Sequence, residues 1–288
     1  MRYLLILILV LFLNIGVFAQ EDQEISVTQK WATDQVFKNP ESVFFDSLRN
    51  VIYVSNIGEI NKDSRDGDGF ISKLNLNGEV EELRWITGLN DPKGMGMFGN
   101  ILYVADLNQV VEINVENNEI VRTHEVEGAE FLNDITVART GEVYISDSDA
   151  NLVFRIRLGM PPMVWMTDDS GLNRPNGLLI EEERLLLANM AEGTLNLVNP
   201  ESKEMREWVS GVNSADGIAR VGENNYFVSN WNGEVWFIDF KGSKQKVLDT
   251  KDEKVNAADI THINSLNILL VPTFFDNRVV AYDIENLQ

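Results

Sequence analysis

Four oxygen-bearing side chains, Glu41, Asn133, Asn176 and Asp216, have the types and spacing to hold a hard cation. One Glu, one Asp and two Asn bring two negative charges, which balances a divalent ion that prefers carboxylate, amide and water oxygens. They share one register of a recurring module. Its six copies carry, in order, Glu41, Lys93, Asn133, Asn176, Asp216 and Ala258, at intervals of 52, 40, 43, 40 and 42 residues. Any one of them alone reads as a turn residue, because Asn and Asp favour turns for backbone reasons. The shared register is what makes them a set. Only four of the six positions offer oxygen, which leaves coordination free for water or substrate, as a catalytic metal requires.

Residues so far apart can meet only if the module closes into a ring. Each copy reads as four short strands. A turn delivers the key residue, as in Pro40-Glu41-Ser42, Asp91-Pro92-Lys93-Gly94, Leu132-Asn133-Asp134, Arg174-Pro175-Asn176-Gly177 and Ala215-Asp216-Gly217. An apolar stretch follows, and then a second apolar strand that ends in a small polar residue (Asn56, Asp106, Asp147, Asn189, Asn230, Thr273), 13 to 15 positions after the key residue. A third strand alternates, as in Gly233–Asp239, and a fourth is more polar and often holds Trp, as in Glu79–Ile86 and Glu204–Val209. Alternation with β-branched and aromatic residues between Gly, Asn and Asp turns is a strand signal. Four strands at a period near 40 residues predict an all-β, six-bladed β-propeller with four antiparallel strands per blade. The segment 27–33 looks like a fourth strand lacking its first three, and the last copy lacks its fourth. The N-terminal strand therefore completes the last blade and hides the sheet edges that would invite aggregation.

The chain has 288 residues, 44% of them hydrophobic, and no cysteine, which excludes disulfides and thiol chemistry. Residues 1–19 have the form of a signal peptide: Arg2, an apolar run from Tyr3 to Phe18, and small Val17 and Ala19 before a cut at Gln20. Residues 20–288 then form one propeller domain, exported to a periplasmic or secreted location, with no membrane attachment after cleavage. The net charge of −21 becomes −22 without Arg2 and argues against nucleic acid and anionic membranes. A monomer acting on a small-molecule substrate is expected.

The motifs PES, LND, RPNG and ADG, in this order on six blades, resemble the regucalcin/gluconolactonase/luciferin-regenerating-enzyme-like (senescence-marker-protein-like) family over roughly residues 25 to 288. The wider group includes the diisopropyl-fluorophosphatase and paraoxonase propellers. The resemblance implies a metal-dependent hydrolase of a lactone or related ester, with calcium as the expected ion and zinc, manganese or magnesium admissible. It implies that Glu41, Asn176 and Asp216 ligate the metal and that Asn133 is a fourth ligand or a substrate contact. It also implies that Asp216 is the base, with Asp134 of the ND motif the second choice.

The chain departs from that family in places. Phe131-Leu132 stands where regucalcin-like enzymes have an Arg that contacts a sugar-like substrate, which points toward a more apolar substrate. Lys93, in the second-blade register, could bind a substrate carboxylate or phosphate, or pair with Glu41 or an acidic neighbour. Asp259, after Ala258, could enlarge the acidic hub or satisfy backbone groups. His124 falls on an outer strand and reads as structural, whereas His262 is a candidate to line the tunnel. The strand-end residues read mainly as hydrogen-bonding residues of turns, but Asn189 and Asn230, beside Met190 and Trp231, could touch a ligand. The run 63–69 reads as a solvated insertion or a lid. The rival function is a non-catalytic propeller of the NHL type that binds a small molecule or peptide on the same face.

Overall fold

The computed structural model describes residues 24–60 and 65–287; the expected signal peptide and residues 61–64 of the first-blade insertion lie outside them. Six four-stranded antiparallel sheets form a six-bladed propeller. The first five blades each use four consecutive strands, starting with Pro40–Asp46, Pro92–Phe98, Leu132–Val137, Pro175–Ile180 and Ala215–Val221. The sixth combines Thr261–Ile263, Ile268–Thr273 and Arg278–Glu285 with the N-terminal strand Ser26–Ala32. Ser26 lies opposite Glu285 and Ala32 opposite Val280, so the first strand of the chain closes the last blade as the sequence predicts. Strand ends differ from the sequence reading by at most a few residues; the outer strand of blade 1, for example, runs Val80–Leu89. Helical structure among the described residues amounts to two single 3-10 turns, Asp168–Ser170 and Phe274–Asp276. None of these is long and apolar enough to cross a membrane.

Burial follows blade position. The second strands Val143–Asp147 and Leu185–Asn189 are buried throughout, because each is covered on both faces by neighbouring blades. Such strands read as near-continuous apolar runs. The outer strand Glu119–Glu125 is almost wholly exposed and correspondingly polar. The core is six clusters, one in each seam between adjacent blades. Tyr53, Ile71 and Trp85 of blade 1 pack on Leu102, Val104 and Ile113 of blade 2. In the closing seam, Val43, Ile52 and Leu74 of blade 1 pack on Ile268, Leu270 and Val279 of blade 6. Outer-strand Trp residues stack on inner Tyr rings, as Trp165 does on Tyr144 at 4.8 Å. Such a pair adds about 0.5–1.5 kcal/mol beyond the area it buries.

Candidate functional site

In blades 1 to 5 the pairing of first and second strands breaks at the same place. The register shifts fall between Pro40 and Ser42, Pro92 and Met95, Leu132 and Ile135, Pro175 and Leu178, and Ala215 and Ile218. Glu41, Lys93, Asn133, Asn176 and Asp216 sit inside these breaks. A bulge re-aims a side chain that a regular ladder would hold in the plane of the pleat. In three of these turns, the residue two positions earlier has a left-handed backbone: Asn39 (φ 50°), Arg174 (φ 53°) and Ser214 (φ 57°). These turns deliver Glu41, Asn176 and Asp216. Non-glycine residues rarely adopt that conformation, and Asn39 and Arg174 also precede proline, which disfavours helical backbone angles further. Local strain of this kind concentrates where a side chain must be presented in a fixed direction.

The strand-end polar residues hold these turns in place. Asn56 Oδ1 accepts from the Lys38 amide (3.1 Å), Asp106 Oδ1 from Asn90 (2.8 Å), Asp147 Oδ2 from Glu130 (2.7 Å) and Asn189 Oδ1 from Asn173 (3.1 Å). Each donor lies three residues before a hub residue. Asn230 serves its own hairpin instead, accepting from the amides of Asn232 and Glu234. The expectation that Asn189 and Asn230 touch a ligand is corrected here: neither lines the cavity, Asn189 being spent on the Asn173 amide and the Gly171 carbonyl, and Asn230 on backbone amides and the Glu234 carboxylate. The residues that follow four of the strand ends, Ile57, Met190, Trp231 and Phe274, line it instead. Successive strand residues point in opposite directions, so the outward-facing neighbour meets the cavity.

Below the hub residues the first strands crowd together. A Cβ at Gly177 would collide with the Asp216 carbonyl oxygen, and one at Gly217 with Asp259 Oδ1. Small residues after the hub position are therefore a packing requirement of the closed ring. Asp134 bridges two of these strands: Oδ1 accepts from the Ile135 amide and Oδ2 from the Leu178 amide of the next blade, each at 2.6 Å. Asp259 joins blade 6 to blade 1, its amide donating to the Glu41 carbonyl (2.9 Å) while its Oδ2 accepts from the Ser42 hydroxyl (2.5 Å).

Above that layer lies a cavity of about 330 Å³. Its floor holds Glu41, Lys93, Asn133, Asn176 and Asp216, all buried. Its walls and mouth are Ile57, Ile60, Phe131, Met190, Trp231, Phe274 and Phe275, with Asp91 and Arg174 as the charged members. Arg174 is paired with Asp149 at 3.0 Å. The hub register thus brings together all five of its polar residues, as expected. Among the predicted site residues, Asp134 and Asp259 lie in the layer beneath, outside the lining. His262 is also outside it: Nδ1 contacts the Arg220 carbonyl (3.1 Å) at the far end of blade 5, and the ring rests on Phe227. The short first strand of blade 6 carries His262 away from the mouth, which corrects its expected place in the substrate site. His124 pairs with Glu112 on the outer part of blade 2, at 2.6 Å.

The floor is electrostatically frustrated without a cation. Burial pushes the Glu41 carboxyl well above its ordinary range, the Asp216 charge adds to this, and the Lys93 ammonium opposes it. Asp216 is raised by burial and by Asp259, against the pull of the Asn176 amide. Asp134 is raised by burial and Asp259, with the Leu178 and Ile135 amides opposing. Burial pushes Asp259 up to about 7 despite its Ser42 hydrogen bond. Burial also lowers Lys93, with Glu41 opposing. Its Nζ donates to the Asp91 carbonyl (3.2 Å) and sits 4.3 Å from the Phe131 ring centroid; no ion pair to Glu41 within 4.0 Å forms. Glu41 Oε2 and Asp216 Oδ1 are buried and lack any hydrogen-bond partner. Buried polar atoms are almost always paired, so two orphaned carboxylate oxygens on one cavity floor mark a place for an absent partner. A divalent cation fits: it would satisfy both oxygens, and the two Asn amides would complete a four-oxygen donor set. Among the described residues no three His, Cys, Asp or Glu side chains form a metal cluster; this donor set is half amide.

With this geometry the chain superposes on known propellers. It resembles a gluconolactonase of Xanthomonas campestris (TM-score 0.68, 14% identity, 86% of each chain covered). It resembles virginiamycin B lyase of Staphylococcus aureus in an inactive variant with quinupristin (TM-score 0.63, 12% identity, 90% of this chain and 99% of that one). It also resembles a chain of the nidogen/laminin complex (TM-score 0.64, 17% identity, 78% and 84%). No family model and no curated protein matches the chain. At these identities the likeness is one of fold. A hydrolase, a lyase and a member of a protein complex share it, so function must be argued from the site.

Proposed function

We propose that the chain is a divalent-metal-dependent hydrolase of a lactone or related ester. The observation that carries this reading is the pair of orphaned oxygens, Glu41 Oε2 and Asp216 Oδ1, on the floor of an apolar cavity that also holds Asn133, Asn176 and Lys93. The gluconolactonase likeness and the PES, LND, RPNG and ADG motifs support it. Glu41, Asn176 and Asp216, with Asn133 as the fourth, would hold the cation, calcium by the hardness of its donors. When bound, the ion supplies Lewis-acid polarisation of a carbonyl and eases deprotonation of water.

This chain's own residues do the rest. Water adds to the carbonyl carbon, the acyl carbon–oxygen bond breaks, and the departing oxygen takes the proton, giving a hydroxy acid from a lactone. Of the two candidate carboxylates Asp216 lines the cavity floor and Asp134 does not, so Asp216 is assigned the water's proton. Asp134 is poorly suited to act as the base, since both its oxygens are engaged by backbone amides and it lies beneath the cavity. We assign it the role of holding blades 3 and 4 in register. Lys93, propped against the Phe131 ring, offers a positive charge toward the oxygen that becomes negative as water adds, the arrangement that most stabilises an oxyanion. The apolar walls limit the water that competes with these groups.

Metal analysis of the purified protein, followed by a lactone panel with and without chelator, tests the reading. Turnover should vanish on chelation and return with calcium. Asn176→Ala and Asp216→Ala should lose both the ion and turnover while keeping the fold by circular dichroism. Activity that survives complete metal removal, or full activity in both variants, would refute it. Metal and ligand binding without turnover on any lactone or ester would favour the non-catalytic binding propeller.

A further inference from the structure

The wall of the cavity is chemically lopsided. Blades 5, 6 and 1 contribute Trp231, Phe274, Phe275, Ile57 and Ile60 above the floor, where the indole N–H of Trp231 is the one polar side-chain group. The charged side chains above the floor, Asp91 and Arg174, both stand on the side of blades 2 to 4. Blade 6 is also the blade whose hub position is Ala258, fully buried and without a side-chain donor. Blade 6 thus gives the floor no oxygen and the wall two aromatic rings.

That wall is built rigidly. The Trp231 amide donates to the Ser214 carbonyl (3.0 Å), and its carbonyl accepts from Asn256 Nδ2 (2.6 Å), so its backbone is pinned from both sides. Its ring meets Phe274 at 4.8 Å and 64°, and Phe275 at 6.1 Å and 72°, while the two Phe rings lie 5.0 Å apart at 90°. Edge-to-face contact is the favoured geometry for aromatic side chains and fixes each ring against its neighbours. Two large apolar side chains are left open to solvent at the mouth, Ile60 at 61% and Phe275 at 58%. Exposed apolar groups that flank a cavity with a polar floor mark a ligand-binding surface.

We propose that the substrate carries a bulky apolar group, a ring or branched chain, near its ester or lactone carbonyl, and that the arc of blades 5, 6 and 1 binds that group. The proposal rests on the hydrolase reading above. A polyhydroxylated lactone would turn several hydroxyls toward an arc whose one polar side-chain group is the Trp231 indole N–H, and desolvating an unpaired hydroxyl is costly. An aryl or branched alkyl substituent would instead gain from burial against Trp231 and Phe275.

Three lactones that share a six-membered ring test it: glucono-δ-lactone, δ-valerolactone and phenyl-substituted δ-valerolactone. With calcium present, the phenyl compound should exceed each of the others in kcat/KM by on the order of tenfold or more, the scale on which apolar pockets discriminate. Trp231→Ala and the surface change Phe275→Ala should each reduce that preference severalfold, and Trp231→Phe should retain most of it. A preference for glucono-δ-lactone, or a phenyl preference unchanged in both Ala variants, overturns the proposal and leaves the hydrolase reading standing. A second arm needs no turnover: calorimetric binding of the hydrolysis-resistant phenyl-substituted valerolactam. If no lactone is cleaved but the lactam binds and Phe275→Ala weakens it severalfold, the apolar site stands and the hydrolase reading falls. Absence of both cleavage and lactam binding overturns both.

Discussion

In the presence of a chelator this protein should lose stability as the pH rises, and Asp259 allows the size of that loss to be worked out. Its carboxyl lies mostly enclosed between blades 6 and 1, and its folded pKa is pushed up to about 7, chiefly by burial. In the unfolded chain it titrates near 3.9. Between those values the folded state keeps a proton that the unfolded state gives up, so stability falls with rising pH. The contribution is fully present below about pH 4 and is lost as the pH climbs through about 7. Three pH units at about 1.4 kcal/mol each come to about 4 kcal/mol. For a chain of this size that is on the order of 10 °C in melting temperature. Glu41, Asp134 and Asp216 are raised in the same direction and reinforce the sign. The net charge of −21 also destabilises the fold as carboxyls ionise, so a control is needed. Asp259→Asn provides it: the amide is neutral at every pH and its oxygen can still accept from Ser42. Thermal melts in chelator should show wild type and variant close together near pH 4, with the variant on the order of 10 °C more stable near pH 8. Calcium, which takes the place of the protons at the floor, should raise the wild-type midpoint more at pH 8 than at pH 5. A wild-type curve that parallels the Asn variant across this range, or a calcium shift independent of pH, would refute the picture of a carboxylate floor that requires a cation.

Lys93→Met removes a buried positive charge from the floor that would hold calcium; relief of that repulsion should raise calcium affinity severalfold by calorimetry, while lactone turnover at saturating calcium falls with the loss of the oxyanion's partner. Asp147→Ala strips hydrogen bonds from the part-buried amides of Glu130, Phe131, Asp149 and Ala150; urea unfolding should show a loss of about 1.5–3 kcal/mol, the scale of a hydrogen bond to a charged group. Gly177→Ala forces a methyl against the Asp216 carbonyl and should cost about 1–3 kcal/mol by the same measurement, with weaker calcium binding as the turn shifts.

The architecture was readable because propeller blades are local. Each blade is contiguous in the chain, except for the N-terminal strand, and that exception showed as a strand without partners at one end and a missing strand at the other. The hub set was readable for a related reason: one register, repeated, points at one axis. What escaped was direction. The sequence places Asn189 and Asn230 at the mouth because their strands run back to it, and the strands do end there. Yet a polar residue that closes a strand in a crowded seam is claimed first by the backbone amides beside it, and burial makes those amides costly to leave unpaired. The ligand-facing position is therefore the next residue, Met190 or Trp231, whose apolar type gave no warning of a functional place. The left-handed backbone at Asn39, Arg174 and Ser214 was equally hidden, since only Asn advertises that conformation.

Asp134 and Asp259 were hard to place from sequence for a similar cause. An Asp next to a hub ligand looks like a second acid for the chemistry. In the folded ring, the residue after the hub faces the seam with the next blade, where three first strands have Gly94, Gly177 and Gly217 and one has Ser42. Blades 3 and 6 depart from this and carry the two carboxylates, which reach the Leu178 amide and the Ser42 hydroxyl of the blade beside them. A small residue on one side and a bridging acid on the other is a joinery pattern. It uses carboxyl groups between the blades to fix the spacing of the strands that aim Glu41, Asn176 and Asp216, and so makes the polar floor and the closure of the ring depend on one another.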